Sequence, residues 1–218
     1  MLVTYTKGKD QKPAFHIRRK FCKAALQALN VKVKFSGKQI TGQGLIVSNH
    51  RSLLDPLVEL SLMDVYILSK AEVGDYPLIG RGAKETGVFF VDRLSDNSRK
   101  AALQSIEKLL RRGDPVLIYP EGTTNAGDLT ADFRKGTFEI AFNHGVPVIP
   151  IMIEYPDRSY YYTDGSLMEY FKKIFSRPGQ HNVIVETGNE VKANSAEELV
   201  IATRAAIDEM IIHARKSR

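Results

Sequence analysis

The run Asn49-His50-Arg51-Ser52-Leu53-Leu54-Asp55 sets a histidine five residues ahead of an aspartate, directly after the apolar stretch Leu45-Ile46-Val47. Histidine is the usual general base of proteins, and a carboxylate is a common group for orienting it. On one continuous helix, five steps of about 100° would leave the two side chains roughly 140° apart and out of reach. They meet only if the chain turns between them. Pro56 supports a turn, because Asp-Pro reads as a helix start with Asp55 as N-cap and proline in first position. The spacing therefore places His50 on a strand-to-helix turn.

Two more polar clusters follow apolar runs in the same way. Asp92-Arg93 comes after Val88 to Val91, and Pro120-Glu121-Gly122-Thr123 comes after Val116 to Tyr119. Each has an ordinary structural reading. A lone histidine can be a loop residue, Asp55 a helix cap, Asp92-Arg93 a surface ion pair worth little, and Pro-Glu-Gly-Thr a turn. In open α/β sheets, however, reactive groups gather just beyond the carboxyl ends of strands. Three clusters at three such ends favour a site. His16, His144, His181 and His213 show no ligand spacing with each other or with Cys22, so no metal site is expected. Neither a Gly-x-Ser-x-Gly elbow nor a phosphate-binding P-loop is present.

The elements that must position these groups follow from apolar periodicity. Residues 14–29 read as a basic amphipathic helix with Phe15, Phe21, Ala25 and Leu29 near one face. Val31, Val33 and Phe35 alternate with Lys32 and Lys34, which is strand period ended at Gly37. Strands are expected at 45–47, 65–69, 88–91, 116–119, 146–153 and 183–185. Helices are expected from Pro56 to about Met63, over 96–112 with Asp96 as cap, from about Lys135 to Asn143, and from a capping box at Ser195 and Glu198 to the end. Strand, helix and strand over 87–119 form a crossover unit, which gives parallel strands. The fold class is α/β, a mostly parallel sheet covered by helices, with an N-terminal basic amphipathic helix.

The 218 residues are enough for one domain with a substantial core. No apolar run has the length of a membrane span, and the polar start MLVTYTKGKDQKP does not read as a signal peptide. The single cysteine excludes an intrachain disulfide framework and suits a reducing compartment. The net charge of +6 is concentrated at one end: residues 1–38 carry about +9, leaving the remainder mildly acidic. An anionic partner is implied, either a membrane surface or a nucleic acid.

At these residues the chain resembles the glycerolipid acyltransferases typified by lysophosphatidic acid acyltransferase. Their Asn-His-x-Ser-x-x-Asp motif stands here as Asn49, His50, Ser52 and Asp55. Gly-x-x-Phe-Ile-Asp-Arg is matched by Gly87, Phe90, Val91, Asp92 and Arg93. Phe-Pro-Glu-Gly-Thr-Arg-Ser is matched by Pro120, Glu121, Gly122 and Thr123, with Tyr119 for phenylalanine. A Val-Pro-Ile-x-Pro strand stands as Val146, Pro147, Val148 and Pro150. The four motifs come in order over roughly residues 30–190.

The resemblance implies acyl transfer. His50 acts as base, oriented by Asp55, on the hydroxyl of a membrane lysolipid, most simply 1-acylglycerol-3-phosphate, in phospholipid biosynthesis. Acyl-CoA or acyl carrier protein enters as co-substrate, and no cofactor or metal is called for. Arg93, Glu121, Gly122, Thr123 and Thr124 are the expected acceptor-binding residues, with Asn49, Ser52 and Asp92 in support. Thr124 departs from the family, which has arginine there, and a hydroxyl does not replace a bidentate guanidinium. Either Arg81, Lys84, Arg134 or Lys135 provides the missing charge, or the acceptor is a lyso-aminolipid (ornithine or glycine lipid) or another lysophospholipid.

Residues 1–30 are then expected to be a membrane-association segment, with Arg18, Arg19, Lys20 and Lys23 as contacts, ahead of a single acyltransferase domain at 31–218. That predicts a cytoplasmic protein, peripheral on the inner face of the cell membrane. Residues 167–177 offer a second contact, Leu167, Phe171, Ile174 and Phe175 beside Lys172, Lys173 and Arg177, though core packing explains them as well. The rival reading, a non-enzymatic binding protein for membrane or nucleic acid, leaves all three strand-end clusters idle. Nucleic acid is not expected, because residues 1–38 offer only Tyr5 beyond the aromatics that fit buried faces, Phe15, Phe21 and Phe35.

Overall fold

The computed structural model describes residues 12–71, 85–92 and 95–217, the side chains of 12, 13, 70 and 167 excepted. Residues 1–11 of the expected N-terminal segment, and Arg81, Lys84 and Arg93, lie outside these residues.

Helix α1 (Lys12–Ala28) leads into edge strand β1 (Val31–Gly37) and central strand β2 (Gly44–Ser48). Then come α2 (Asp55–Leu62), β3 (Tyr66–Lys70), β4 (Val88–Val91), α3 (Asp96–Arg111), β5 (Pro115–Ile118) and α4 (Gly136–Asn143). β6 (Val148–Glu154), α5 (Leu167–Phe175), β7 (His181–Thr187) and α6 (Ala196–Lys216) complete the described chain. The strands form one sheet in the order β1-β7-β6-β2-β5-β3-β4. β6, β2, β5, β3 and β4 are mutually parallel, and β7 pairs antiparallel to β6 and parallel to β1. The expected mostly parallel sheet is present, with its β1-β7 edge reversed.

Alternation within the strands divides the core in two. Ile46, Ile67, Leu117, Ile151 and Val183 face a cluster shared with α1, α2 and α5. Leu45, Val47, Val116, Val148 and Met152 face a second cluster with α3, α4 and α6. β2 and β5 have helices on both sides, which is why both read as continuous apolar runs. β1 alternates half-buried Val31, Val33 and Phe35 with exposed Lys32 and Lys34, and edge lysines discourage pairing with another sheet.

Three local expectations need correcting. α3 is capped by Ser95, whose Oγ accepts the amide of Ser98 at 3.2 Å, so Asp96 is the first helical residue, where its charge favours the helix dipole. Asp55 likewise begins α2 instead of capping it, and its carboxylate turns back onto the loop before the helix. α1 is rotated relative to the expected face. Phe15, Arg18, Cys22, Leu26 and Leu29 are buried, whereas Phe21 is 62% exposed beside Ile17 at 66%.

Arg18, expected at a membrane, is thus turned inward. Its guanidinium donates to the carbonyls of Thr86 and, at 2.7 Å, Val65, and lies 4.6 Å from the Phe15 ring centre. Two carbonyls just ahead of β3 and β4 need donors, and the arginine supplies both. Lys20 and Lys23 are exposed, and Arg19 pairs with Asp64 at 3.4 Å. In α5, Tyr170 and Ile174 are buried and Met168 and Phe175 exposed.

Candidate active site

The turn after β2 brings His50 and Asp55 together. His50 Nδ1 lies 2.8 Å from Asp55 Oδ2, with the carboxylate fully buried and the imidazole 13% exposed. The same Oδ2 accepts the backbone amides of Arg51 at 2.6 Å and Ser52 at 2.8 Å, and Oδ1 accepts the Tyr155 hydroxyl at 2.6 Å. The two amides and the Tyr155 hydroxyl donate to the carboxylate, which leaves it the acceptor in its contact with the imidazole as well. The proton of the His50–Asp55 bond therefore belongs to Nδ1, leaving the Nε2 lone pair free to take a proton. Burial, followed by the charge of Asp55, pushes the pKa of Tyr155 well up, so its hydroxyl stays a donor.

The loop itself is anchored from several sides. Asn49, buried, donates to the carbonyl of Ile153 at 2.9 Å and accepts its amide at 2.8 Å, extending the β2–β6 pairing through a side chain. Ser52 accepts the Leu54 amide at 3.1 Å and bonds to the hydroxyl of Tyr170 on α5, which donates in turn to the Tyr160 carbonyl at 2.9 Å. Backbone His50 donates to Glu121 Oε1 at 2.9 Å, and its carbonyl accepts the Asn125 amide at 2.7 Å. Under the imidazole lies Tyr119, stacked at 4.1 Å between ring centres and 13° between planes.

β5 delivers the second cluster beside the first, because β2 and β5 are parallel neighbours. Glu121 is buried and committed: Oε2 accepts from the Asn125 side chain at 2.9 Å and from the Ala131 amide at 2.8 Å. It builds the wall of the site with both oxygens occupied. Gly122 has φ +76°, a left-handed conformation that side chains rarely adopt, and a Cβ there would meet the Arg134 guanidinium within 2.6–2.8 Å. Thr123 is exposed and Thr124 half-buried. Asp92 directly follows β4, two strands out from β5, and its amide donates to Ser98 Oγ at 3.0 Å. The sheet thus brings His50, Asp55, Glu121 and Gly122 together and holds Asp92 farther along the same edge.

Four contributors were not legible as site residues. Tyr155 follows β6 at the same sheet edge as His50 follows β2, so the strand-end rule could have found it had it been applied to every parallel strand. Asn125 ties Glu121 to the carbonyl of Leu129 at 2.8 Å. Arg51, fully buried, donates to the carbonyls of Asn125 and Gly127, each at 2.8 Å, and holds the loop that follows. Glu59 accepts the Tyr119 hydroxyl from below.

The charges around the loop are mostly spent. Arg204 meets Asp132, Arg215 meets Glu154, Arg158 meets Asp128 and Lys135 meets Glu139. Arg134 is exposed over Gly122, with no acidic partner among the described residues.

A family model described as Acyltransferase matches residues 30–154. Among curated proteins, a 1-acyl-sn-glycerol-3-phosphate acyltransferase of Chlamydomonas reinhardtii is 34% identical over 74% of this chain and 46% of its own length. A lyso-ornithine lipid O-acyltransferase of Rhodobacter capsulatus is 27% identical over 85% of this chain and 72% of its own length. The chain therefore spans less than half of the first relative and most of the second. The crystal structure of the 1-acyl-sn-glycerophosphate acyltransferase PlsC from Thermotoga maritima superposes with a TM-score of 0.74 over 96% of this chain and 84% of that one, at 20% identity, a likeness of fold.

Proposed function

The chain belongs to the acyltransferase family, and from that premise we propose that it moves a fatty acyl group from an acyl thioester to the hydroxyl of a lysolipid. The observation that carries this reading is the His50–Asp55 pair at the carboxyl end of β2, with Nδ1 held at 2.8 Å and Nε2 unengaged by the carboxylate. Nε2 takes the proton of the acceptor hydroxyl as its oxygen attacks the thioester carbonyl. The tetrahedral intermediate collapses with loss of the C–S bond, and the imidazolium returns its proton to the departing thiolate. The acyl group passes directly from sulfur to oxygen. A positioned base contributes about 10²–10⁴-fold, so orientation of the acceptor and stabilisation of the oxyanion provide the remainder.

The acceptor is read as a 1-acylglycerol-3-phosphate, with acyl-CoA or acyl carrier protein as donor. Thr124 offers no guanidinium, and the position of Arg134, over Gly122 beside the Glu121 that grips the His50 backbone, supports it as the cation that joins Arg93 at the acceptor's anionic group. A zwitterionic lyso-aminolipid is the second reading. It is favoured by the 38% identity, over 59% of this chain and 49% of that protein, with the lyso-ornithine lipid O-acyltransferase of Pseudomonas aeruginosa.

A lysolipid is delivered from a bilayer. No helix among the described residues is long and apolar enough to cross one. The outward face of α1, with Ile17 and Phe21 beside Lys20 and Lys23, suits peripheral docking on an anionic inner leaflet. The test is a mass-spectrometric assay of the purified protein with one acyl-CoA and a panel of lysolipids. Acylation of lysophosphatidic acid ahead of lyso-ornithine lipid is expected. The reverse order selects the aminolipid reading, and no product from any acceptor, with acyl-CoA or with acyl carrier protein in a parallel run, overturns both.

A further inference from the structure

Asp55 grips His50 at one nitrogen only, and a ring hung from one hydrogen bond can still swing about it. The face of the ring must be held by something else. Tyr119 does this, parallel to the imidazole within 13° at 4.1 Å. A phenol packed in a site can itself tilt, and here it is tied down: its hydroxyl donates to Oε2 of Glu59, one helical turn along α2 from Asp55. Glu59 is wholly buried near the Ser48 hydroxyl, which donates instead to the Asn49 carbonyl at 3.0 Å, and its other oxygen, Oε1, has no partner in hydrogen-bond geometry among the described residues.

That arrangement is expensive as packing. A leucine at 59 and a phenylalanine at 119 would fill similar space without burying a carboxyl or leaving an oxygen unpaired. What the polar pair adds is direction, because a hydrogen bond fixes the in-plane position of the Tyr119 ring where apolar contact leaves it free to shift.

We propose that Glu59 is a positioning residue for His50: it fixes Tyr119, and Tyr119 fixes the imidazole plane that aims Nε2. α2 therefore carries both restraints on the base, Asp55 at the ring's edge and Glu59, through Tyr119, at its face. The proposal rests on His50 being the base of the acyl transfer. Burial raises the pKa of Glu59 to about 8, so near neutral pH the carboxyl beyond Tyr119 is mostly uncharged and adds little field of its own.

The test combines steady-state kinetics, thermal melts and imidazole NMR on Glu59→Leu, Glu59→Gln, Tyr119→Phe and the double variant Glu59→Leu/Tyr119→Phe. Misaiming a base costs rate without weakening binding, so Glu59→Leu is expected to lower kcat about tenfold with KM unchanged. Glu59→Gln, which can still accept from Tyr119, recovers most of that loss. The double variant removes both orphaned polar groups and so recovers the melting temperature while kcat stays low. A purely structural role predicts instead that kcat returns together with stability, and that result overturns the proposal. Independently of turnover, the His50 Cε1–H resonance, identified by its loss in His50→Ala, is shifted by the Tyr119 ring in the native protein. It should move in both Glu59→Leu and the double variant. An unmoved resonance also overturns the proposal. An active His50→Ala enzyme would refute the base assignment instead, leaving the NMR result to judge the restraint on the ring.

Discussion

The hydroxyl of Tyr155 donates to Oδ1 of Asp55 at 2.6 Å, joining residues 100 positions apart in the chain. It does so because β6 and β2 are parallel neighbours, so their carboxyl ends arrive at one edge with Tyr155 just beyond one and His50 beyond the other. Oδ2 is left to the loop and to the imidazole. Asp55 is thereby both a loop clamp and the orienting carboxylate.

Asp55→Asn separates these duties. One amide oxygen cannot accept four donors, and the amide NH₂ brings a donor where the site has donors already. Loss of orientation should lower kcat by about 10²-fold or more, and the unpaired buried groups should lower stability by about 1–3 kcal/mol. His50→Ala should abolish turnover with a much smaller change in melting temperature. Equal turnover in wild type and His50→Ala would remove the base from the mechanism.

The mostly parallel sheet, the chain order of its strands and of every helix but α5, and the His50–Asp55 pair were legible because each depends on local pattern: apolar runs for strands buried on both faces, spacing for the turn. The partners that hold the pair were not. Tyr170, Asn125 and Glu59 reach the site through tertiary contacts that their local sequence does not announce, and Tyr155 through its place after β6. The α1 error has the same origin. Arg18 reads as a solvent-facing charge until two carbonyls, those of Val65 and Thr86, are seen to need a donor beneath it. Asp55 and Asp96 misled for another reason: a carboxylate at a helix start looks like a cap, and which way it turns depends on donors that only the fold supplies.

Glu59 sets a pH dependence of stability. Its pKa rises from the ordinary 4.5 to about 8, chiefly by burial, so the folded protein keeps a proton that the unfolded chain releases. Stability from this group is therefore lost progressively as pH rises through that window and is level above it. Glu59→Gln cannot ionise and should lack the slope. In urea unfolding, the variant should gain on wild type by more than about 1 kcal/mol between pH 5 and pH 8. Parallel stability curves would show that Glu59 keeps an ordinary pKa.

Cys22 provides a probe of α1 packing. It is buried against the core, and burial raises its thiol to about 11. At pH 8 it should react with a disulfide reagent at least about 10²-fold more slowly than a free thiol, since the thiolate is scarce and shielded. Full reactivity should appear only on unfolding. Rapid labelling of the native protein would mean that α1 leaves the body readily.

The two sides of α1 should respond to mutation in opposite ways. Arg18→Ala leaves the carbonyls of Val65 and Thr86 without their donor and removes a charge stacked on Phe15, which should cost about 2–3 kcal/mol of stability. Its folded fraction should still bind anionic vesicles as wild type does, because an inward side chain has no part in that contact. Lys20→Ala/Lys23→Ala should do the reverse. Each exposed lysine near an anionic surface adds about 1 kcal/mol, so removing two should weaken vesicle binding by roughly 30-fold with an unchanged melting temperature. Phe21→Ser, 62% exposed in wild type, should also reduce binding without cost to the fold. Sedimentation with vesicles containing phosphatidylglycerol measures both surfaces. Undiminished binding in Lys20→Ala/Lys23→Ala and Phe21→Ser together would take membrane docking away from the outward face of α1.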